Sequence, residues 1–96
     1  MYISTHDKRR RHLNTTEHAR KRQQQRSIPT SVVDLLFDFG DERPVGDGST
    51  SYAFSKKSWK RVVTYLGTEA KYFERYRDCY LVAANNGMII TVAYIQ

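Results

Sequence analysis

Apolar residues in this chain recur at spacings that name their elements. Val32, Leu35, Leu36 and Phe39 stand at i, i+3, i+4 and i+7, which predicts a helix from about Pro29 to Phe39 with Gly40 as its C′ residue. Trp59, Val62, Val63 and Leu66 repeat the pattern and close at Gly67, giving another helix. Residues 40–50 are dense in turn formers and read as a loop. Ser51 to Ser55 alternates polar and apolar, a short strand with Tyr52 and Phe54 on one face. Cys79 to Ala84 and Met88 to Ile95 read as two strands joined by a hairpin at Asn85-Asn86-Gly87. Both are apolar on both faces, which predicts central, covered strands. Over residues 68–77, Tyr72, Phe73 and Tyr76 suit a continued helix or a lead-in to a strand, and their spacing does not choose.

The first quarter of the chain is different. Residues 1–13 are polar, charged and aperiodic, the signature of a disordered basic arm, and leave a single α+β domain over residues 14–96. A helix should start near Asn14 or Thr16, Asn14 with Glu17 three residues on resembling a capping box. It is polar almost all round, Leu13 and Ala19 being its clear apolar residues, so it must lie on the domain through the stems of long side chains. Pro29 separates it from the next helix. The predicted order is helix, helix, strand, helix, strand, strand.

Charge sharpens the division. The 96 residues carry a formal net charge of +6. Residues 1–26 hold eight basic side chains against Asp7 and Glu17, whereas residues 27–96 hold eight basic and eight acidic ones. All three histidines (His6, His12, His18) also lie in the first quarter. Such asymmetry points to a polyanion partner and says nothing of fold. No run approaches the roughly 18–20 apolar residues of a membrane span, and no apolar segment follows Met1-Tyr2-Ile3 as in a secretory signal. Cys79, the single cysteine, excludes an internal disulfide and a multi-cysteine zinc site, and a cytoplasmic location is expected. A phosphate-cradling glycine loop, an HExxH pair and paired cysteines are all missing, so no metal or cofactor is expected.

Candidate chemistry concentrates in the first helix. His18, Arg22 and Arg26 recur at i, i+4 and i+8, a drifting stripe about 12 Å long on a helix. Imidazole can exchange a proton near neutral pH, and guanidinium donates a fork of hydrogen bonds to phosphate oxygens. Together they could cleave RNA without metal: one group takes the 2′-hydroxyl proton, cations hold the phosphorane charge, and another group protonates the leaving oxygen. A helix of this composition also serves simply as a solvated face. Arg9, Arg10, Arg11, Lys21, Lys56 and Lys60 are candidates for gripping phosphates, with Lys8, Lys57 and Arg61 beside them. Tyr52, Tyr80 and Tyr94 offer stacking surfaces or core packing. Thr91, the polar residue within Met88–Tyr94, is either a strand filler or a hydroxyl aimed into a cleft. Cys79 reads as an inert buried thiol.

The run His18-Ala19-x-x-Arg22-x-x-x-Arg26-x-Ile28-Pro29, the Val-Leu-Leu helix ending at Gly40, and the closing hairpin Gly87-Met88-Ile89-Ile90-Thr91-Val92 together resemble a family of small bacterial domains of uncertain function. That family is grouped with the RelE-like toxins and the barnase–EndoU–colicin–RelE (BECR) ribonuclease fold. The resemblance covers roughly residues 16–94. It implies an antiparallel sheet with the N-terminal helices packed on one face and an active cleft where the first helix meets it. His18, Arg22 and Arg26 then match the family's His-Arg-Arg helix, and Thr91 the hydroxyl residue of its last strand. Unlike the RelE-type toxins, this chain has no basic residue on its closing strand, Val92 to Gln96. The leading expectation is a toxin-like, metal-independent endoribonuclease acting on RNA, with an acidic antitoxin or immunity protein as a further partner. The alternative is a non-catalytic nucleic-acid-binding or regulatory module that uses the basic arm and first helix.

Overall fold

Each helix starts where a side chain or a proline can cap it. In the computed structural model, which describes residues 15–96, α1 spans Glu17–Gln25, α2 spans Thr30–Phe39 and α3 spans Lys56–Leu66. The arm expected over residues 1–13 and the alternative cap at Asn14 lie outside the described residues. Thr16 is extended, and its Oγ1 accepts a hydrogen bond from the Ala19 N–H at 3.1 Å. Pro29, also extended, precedes α2. Ahead of α3, Ser55 Oγ accepts from the Ser58 N–H at 3.1 Å while Ser58 Oγ accepts from the Ser55 N–H at 2.8 Å, a reciprocal capping box.

Four strands, β1 (Asp41–Gly46), β2 (Ser49–Ala53), β3 (Cys79–Ala83) and β4 (Ile89–Tyr94), form one antiparallel sheet in the order β1-β2-β3-β4. Among the described residues the fold is therefore α+β, three α-helices and a 3-10 helix with a four-stranded antiparallel sheet. Two expectations are corrected. Most of the predicted loop 40–50 is a strand: Asp47 and Gly48, both at positive φ (54° and 75°), make a two-residue turn that pairs Gly46 with Ser49. Every β1 residue is exposed, so no apolar alternation marks it, and Pro44 is tolerated because this strand is an edge. Second, β3 is central but β4 is an edge strand, and among the described residues one sheet face bears no helix, so these residues cover the closing hairpin on one side only. A bulge explains its sequence. Thr91 pairs with Val82 and Ile89 with Ala83, leaving Ile90 without a partner. That extra residue lets Ile89 and Val92 both reach the core although three positions separate them.

The hairpin turn also departs from a tight Asn-Gly pair. The Gly87 N–H donates to the Ala84 carbonyl at 2.8 Å, and only Gly87 takes positive φ (88°). A type I turn followed by a left-handed glycine fits both observations. The undecided segment is a 3-10 helix, Gly67–Tyr76. Ala70, Phe73 and Tyr76 turn toward the core at a spacing of three, the period of that helix.

Packing proceeds from α2. Val32, Val33, Leu36 and Phe37 sit against Leu81, Ala83, Ile89 and Val92 of the sheet, while Leu35 and Phe39 meet Trp59, Val62 and Leu66 of α3. Val63, expected in the apolar stripe of α3, is 39% exposed, and the buried Ser58 takes part in that face instead. The indole N–H of Trp59 donates to Glu74 Oε2 at 3.3 Å, and Arg77 lies over the Trp59 ring, tying the 3-10 helix to α3. α1 rests on β4 through Ala19, fully buried, and through the Thr16 N–H, which donates to the Ile89 carbonyl at 2.9 Å.

Gly40 is needed for space, not for a left-handed turn. Its backbone is extended (φ −62°), but a Cβ there would fall 2.5 Å from the Leu36 carbonyl oxygen and 3.3 Å from the Ala53 nitrogen. Gly40→Ala should therefore cost about 1–3 kcal/mol in urea unfolding, through overpacking. Gly46→Ala, with open space but φ of 98°, should cost about 1–2 kcal/mol for conformational reasons.

Candidate nucleic-acid interface

α1 enters the core through one methyl group, and this decides where its cations go. With Ala19 facing β4, Arg20, Lys21, Arg22 and His18 are exposed and Arg26 is half-buried at the C-cap. Glu17 is the helix's one acidic residue, placed in the first turn where the helix dipole favours it. Among the described residues, Arg20, Lys21, Arg22 and Arg26 form no ion pair and the His18 imidazole makes no hydrogen bond. Gln23 Nε2 donates to Thr30 Oγ1 at 3.2 Å, linking α1 to the start of α2.

The four residues expected to form a cleavage site are not brought together. Thr91 pairs with Val82 and Val82 with Ser51, and the last two line a concavity of about 710 Å³ on the sheet face without helices. Val92 next to it points into the core shared with Ala19. Thr91 therefore belongs to the uncovered face, whereas His18, Arg22 and Arg26 belong to a helix on the covered one. A second concavity, about 490 Å³, lies on the other flank of α1, lined by Arg20, Gln23 and Gln24 with Thr30 and Val33. His18, Arg22 and Arg26 line neither. Arg20, which the i, i+4, i+8 reading passed over, is the α1 cation beside a groove. Its spacing to Gln23 and Gln24 carries that signal.

Other expected contacts separate likewise. Arg9, Arg10 and Arg11 lie outside the described residues. Lys21 is exposed on α1, and Lys56 and Lys60 are exposed on α3 beside Lys57 and Arg61, again without ion pairs among the described residues. Tyr52 packs on Phe37 (centroids 4.7 Å apart) on the covered face, and Tyr94, paired with the buried Cys79, packs on the main core while also bordering the 710 Å³ concavity at the strand's end. Tyr80 lines the uncovered face. Among the described residues no three His, Cys, Asp or Glu side chains gather as a metal ion would require, and no helix is long and apolar enough to cross a membrane. Compared with family models, curated proteins and solved structures, the chain matches none.

Cys79 is fully buried, and burial pushes its thiol from 9.0 up to about 11; a hydrogen bond with Tyr94 opposes this in part and Asp78 adds to it. The unfolded thiol ionises first, so the associated stability is complete below pH 9 and is lost as pH rises through about 11. Tyr94, also pushed up mainly by burial, acts in the same direction. Unfolding free energy should fall over this window, by up to about 1.4 kcal/mol per pH unit from the thiol. Cys79→Ala should flatten the slope, and a thiol reagent should label the native protein only as fast as it opens.

Proposed function

We propose that this chain is a nucleic-acid-binding module that holds phosphates without cleaving them. The observation that carries the reading is the trio Arg20, Lys21 and Arg22, exposed and without ion pairs among the described residues, on a helix whose one buried side chain is Ala19. Lys8, Arg9, Arg10 and Arg11 precede it in sequence and add to the same charge. Each cation that neutralises a phosphate releases a condensed counterion, and that release favours binding without a shaped pocket.

The ribonuclease expectation demands more. General acid–base catalysis needs the imidazole within hydrogen-bond reach of the reacting group, and stabilising the phosphorane works best where water is excluded. An exposed His18, with Thr91 on the opposite sheet face, supplies neither. The resemblance to RelE-like domains then rests on the layout of the sequence, and RNA is the polyanion that resemblance suggests for this surface.

Binding to labelled duplex DNA or RNA should weaken with salt, log K falling by about 2.7 per decade if Arg20, Lys21 and Arg22 each meet one phosphate. Arg22→Gln should lower the slope by about 0.9, and His18→Ala should leave both affinity and RNA integrity in EDTA unchanged. RNA fragments produced by the native chain and lost with His18→Ala would restore the catalytic reading.

A further inference from the structure

α3 carries Lys56, Lys57, Lys60 and Arg61 and no acidic residue, all four exposed and none ion-paired among the described residues. On its outer flank, Tyr65 is 65% exposed. One side of the ring is braced by Phe39, with centroids 5.2 Å apart and planes tilted by 46°. Phe39 in turn packs against the Leu35–Trp59–Val62 cluster, so the brace is anchored in the core. Phe39, Lys60, Arg61, Thr64 and Tyr65 together line a shallow concavity of about 470 Å³.

The other strongly exposed aromatic differs. Tyr72, 68% exposed, has the Lys71 ammonium over its ring at 5.3 Å, so its π-face is occupied by its own chain. Tyr65 has no such cation among the described residues. Lys60 and Arg61 instead border it, one turn back along the helix, with the Thr64 hydroxyl held to the Lys60 carbonyl at 3.0 Å.

We infer that this flank of α3 is a stacking platform for single-stranded nucleic acid, one base lying on Tyr65 while Lys60 and Arg61 hold the neighbouring phosphates. The inference rests on the nucleic-acid reading above and adds the strand class. A duplex keeps its base faces stacked and can offer this site only phosphates, whereas a single strand offers both groups at once. An acidic peptide would satisfy the cations but leave the braced ring unused.

Fluorescence anisotropy with an oligouridine of about twelve nucleotides and a duplex of equal length separates the possibilities. The native chain should prefer the single strand. Tyr65→Ala should weaken oligouridine binding about tenfold and leave duplex binding unchanged, Tyr65→Phe should retain the preference, and Lys60→Gln with Arg61→Gln should weaken both ligands. A circular dichroism melt confirms that each variant folds. If Tyr65→Ala binds oligouridine as the native chain does while Arg22→Gln still weakens it, this inference falls and the broader reading stands. If the native chain binds neither oligonucleotide, both fall. Tighter binding of polyglutamate than of oligouridine, lost with Tyr65→Ala, would reassign the platform to a protein partner.

Discussion

The burial of α2 on two sides is the constraint from which the rest follows. Leu36 and Val32 press on the sheet while Leu35 and Phe39 press on α3, so one ten-residue helix joins both apolar clusters. Fully burying each such side chain contributes roughly 1.5–3 kcal/mol. Neither α1 nor the 3-10 helix offers a comparable apolar surface. Each buries a single residue, Ala19 and Ala70 respectively, and the 3-10 helix adds the half-buried Phe73 and Tyr76. With most of its apolar helical surface turned to one layer, the described part of the chain has none to cover the second sheet face, where Val45 and Ile95 remain exposed at the margins.

The distribution of charge is a consequence of that economy. A helix docked by a methyl group approaches its sheet closely, and every longer side chain on it must leave the interface. Arg20, Lys21 and Arg22 are therefore fanned around the solvent side of α1 by packing rather than by any bond among the described residues that orients them. α3 repeats the arrangement: Trp59, Val62 and Leu66 face inward, and its cations and Tyr65 fall outside. The basic groups of the 3-10 helix and its C-cap are tied up locally, Lys71 over Tyr72, Arg75 over Tyr76 and Arg77 between Trp59 and Glu74.

Elements with a buried face were legible in the sequence, because burial writes a period into the residues. The spacing of Val32, Leu35, Leu36 and Phe39 gave α2 to within a residue, and the apolar runs gave β3 and β4. β1 was not legible because nothing on it is buried; its remaining signal was the Asp47-Gly48 pair, whose positive φ angles make the hairpin. The bulge at Ile90 concealed which face of β4 was covered, since it makes one strand look apolar on both sides. The cation row was legible as composition, but its relation to Thr91 was not. Register across three strands decides that relation, and no local spacing encodes it.

Binding and cleavage make different demands on the same side chains. A cation at the surface neutralises a phosphate wherever its flexible stem can reach, and several such contacts add without sharing a geometry. Proton transfer is intolerant of that freedom, because misplacement by about an ångström forfeits most of the advantage of holding groups together. Among the described residues, side-chain contacts that hold polar groups in place include the Thr16 cap, the Ser55–Ser58 box, the Trp59–Glu74–Arg77 contact, and Gln23 on Thr30. Each fastens one helix end or helix pair, and none reaches His18. The hydrogen bonds and ion pair that hold polar side chains in place among the described residues thus serve the architecture, and the exposed cations of α1 and α3 stand outside them.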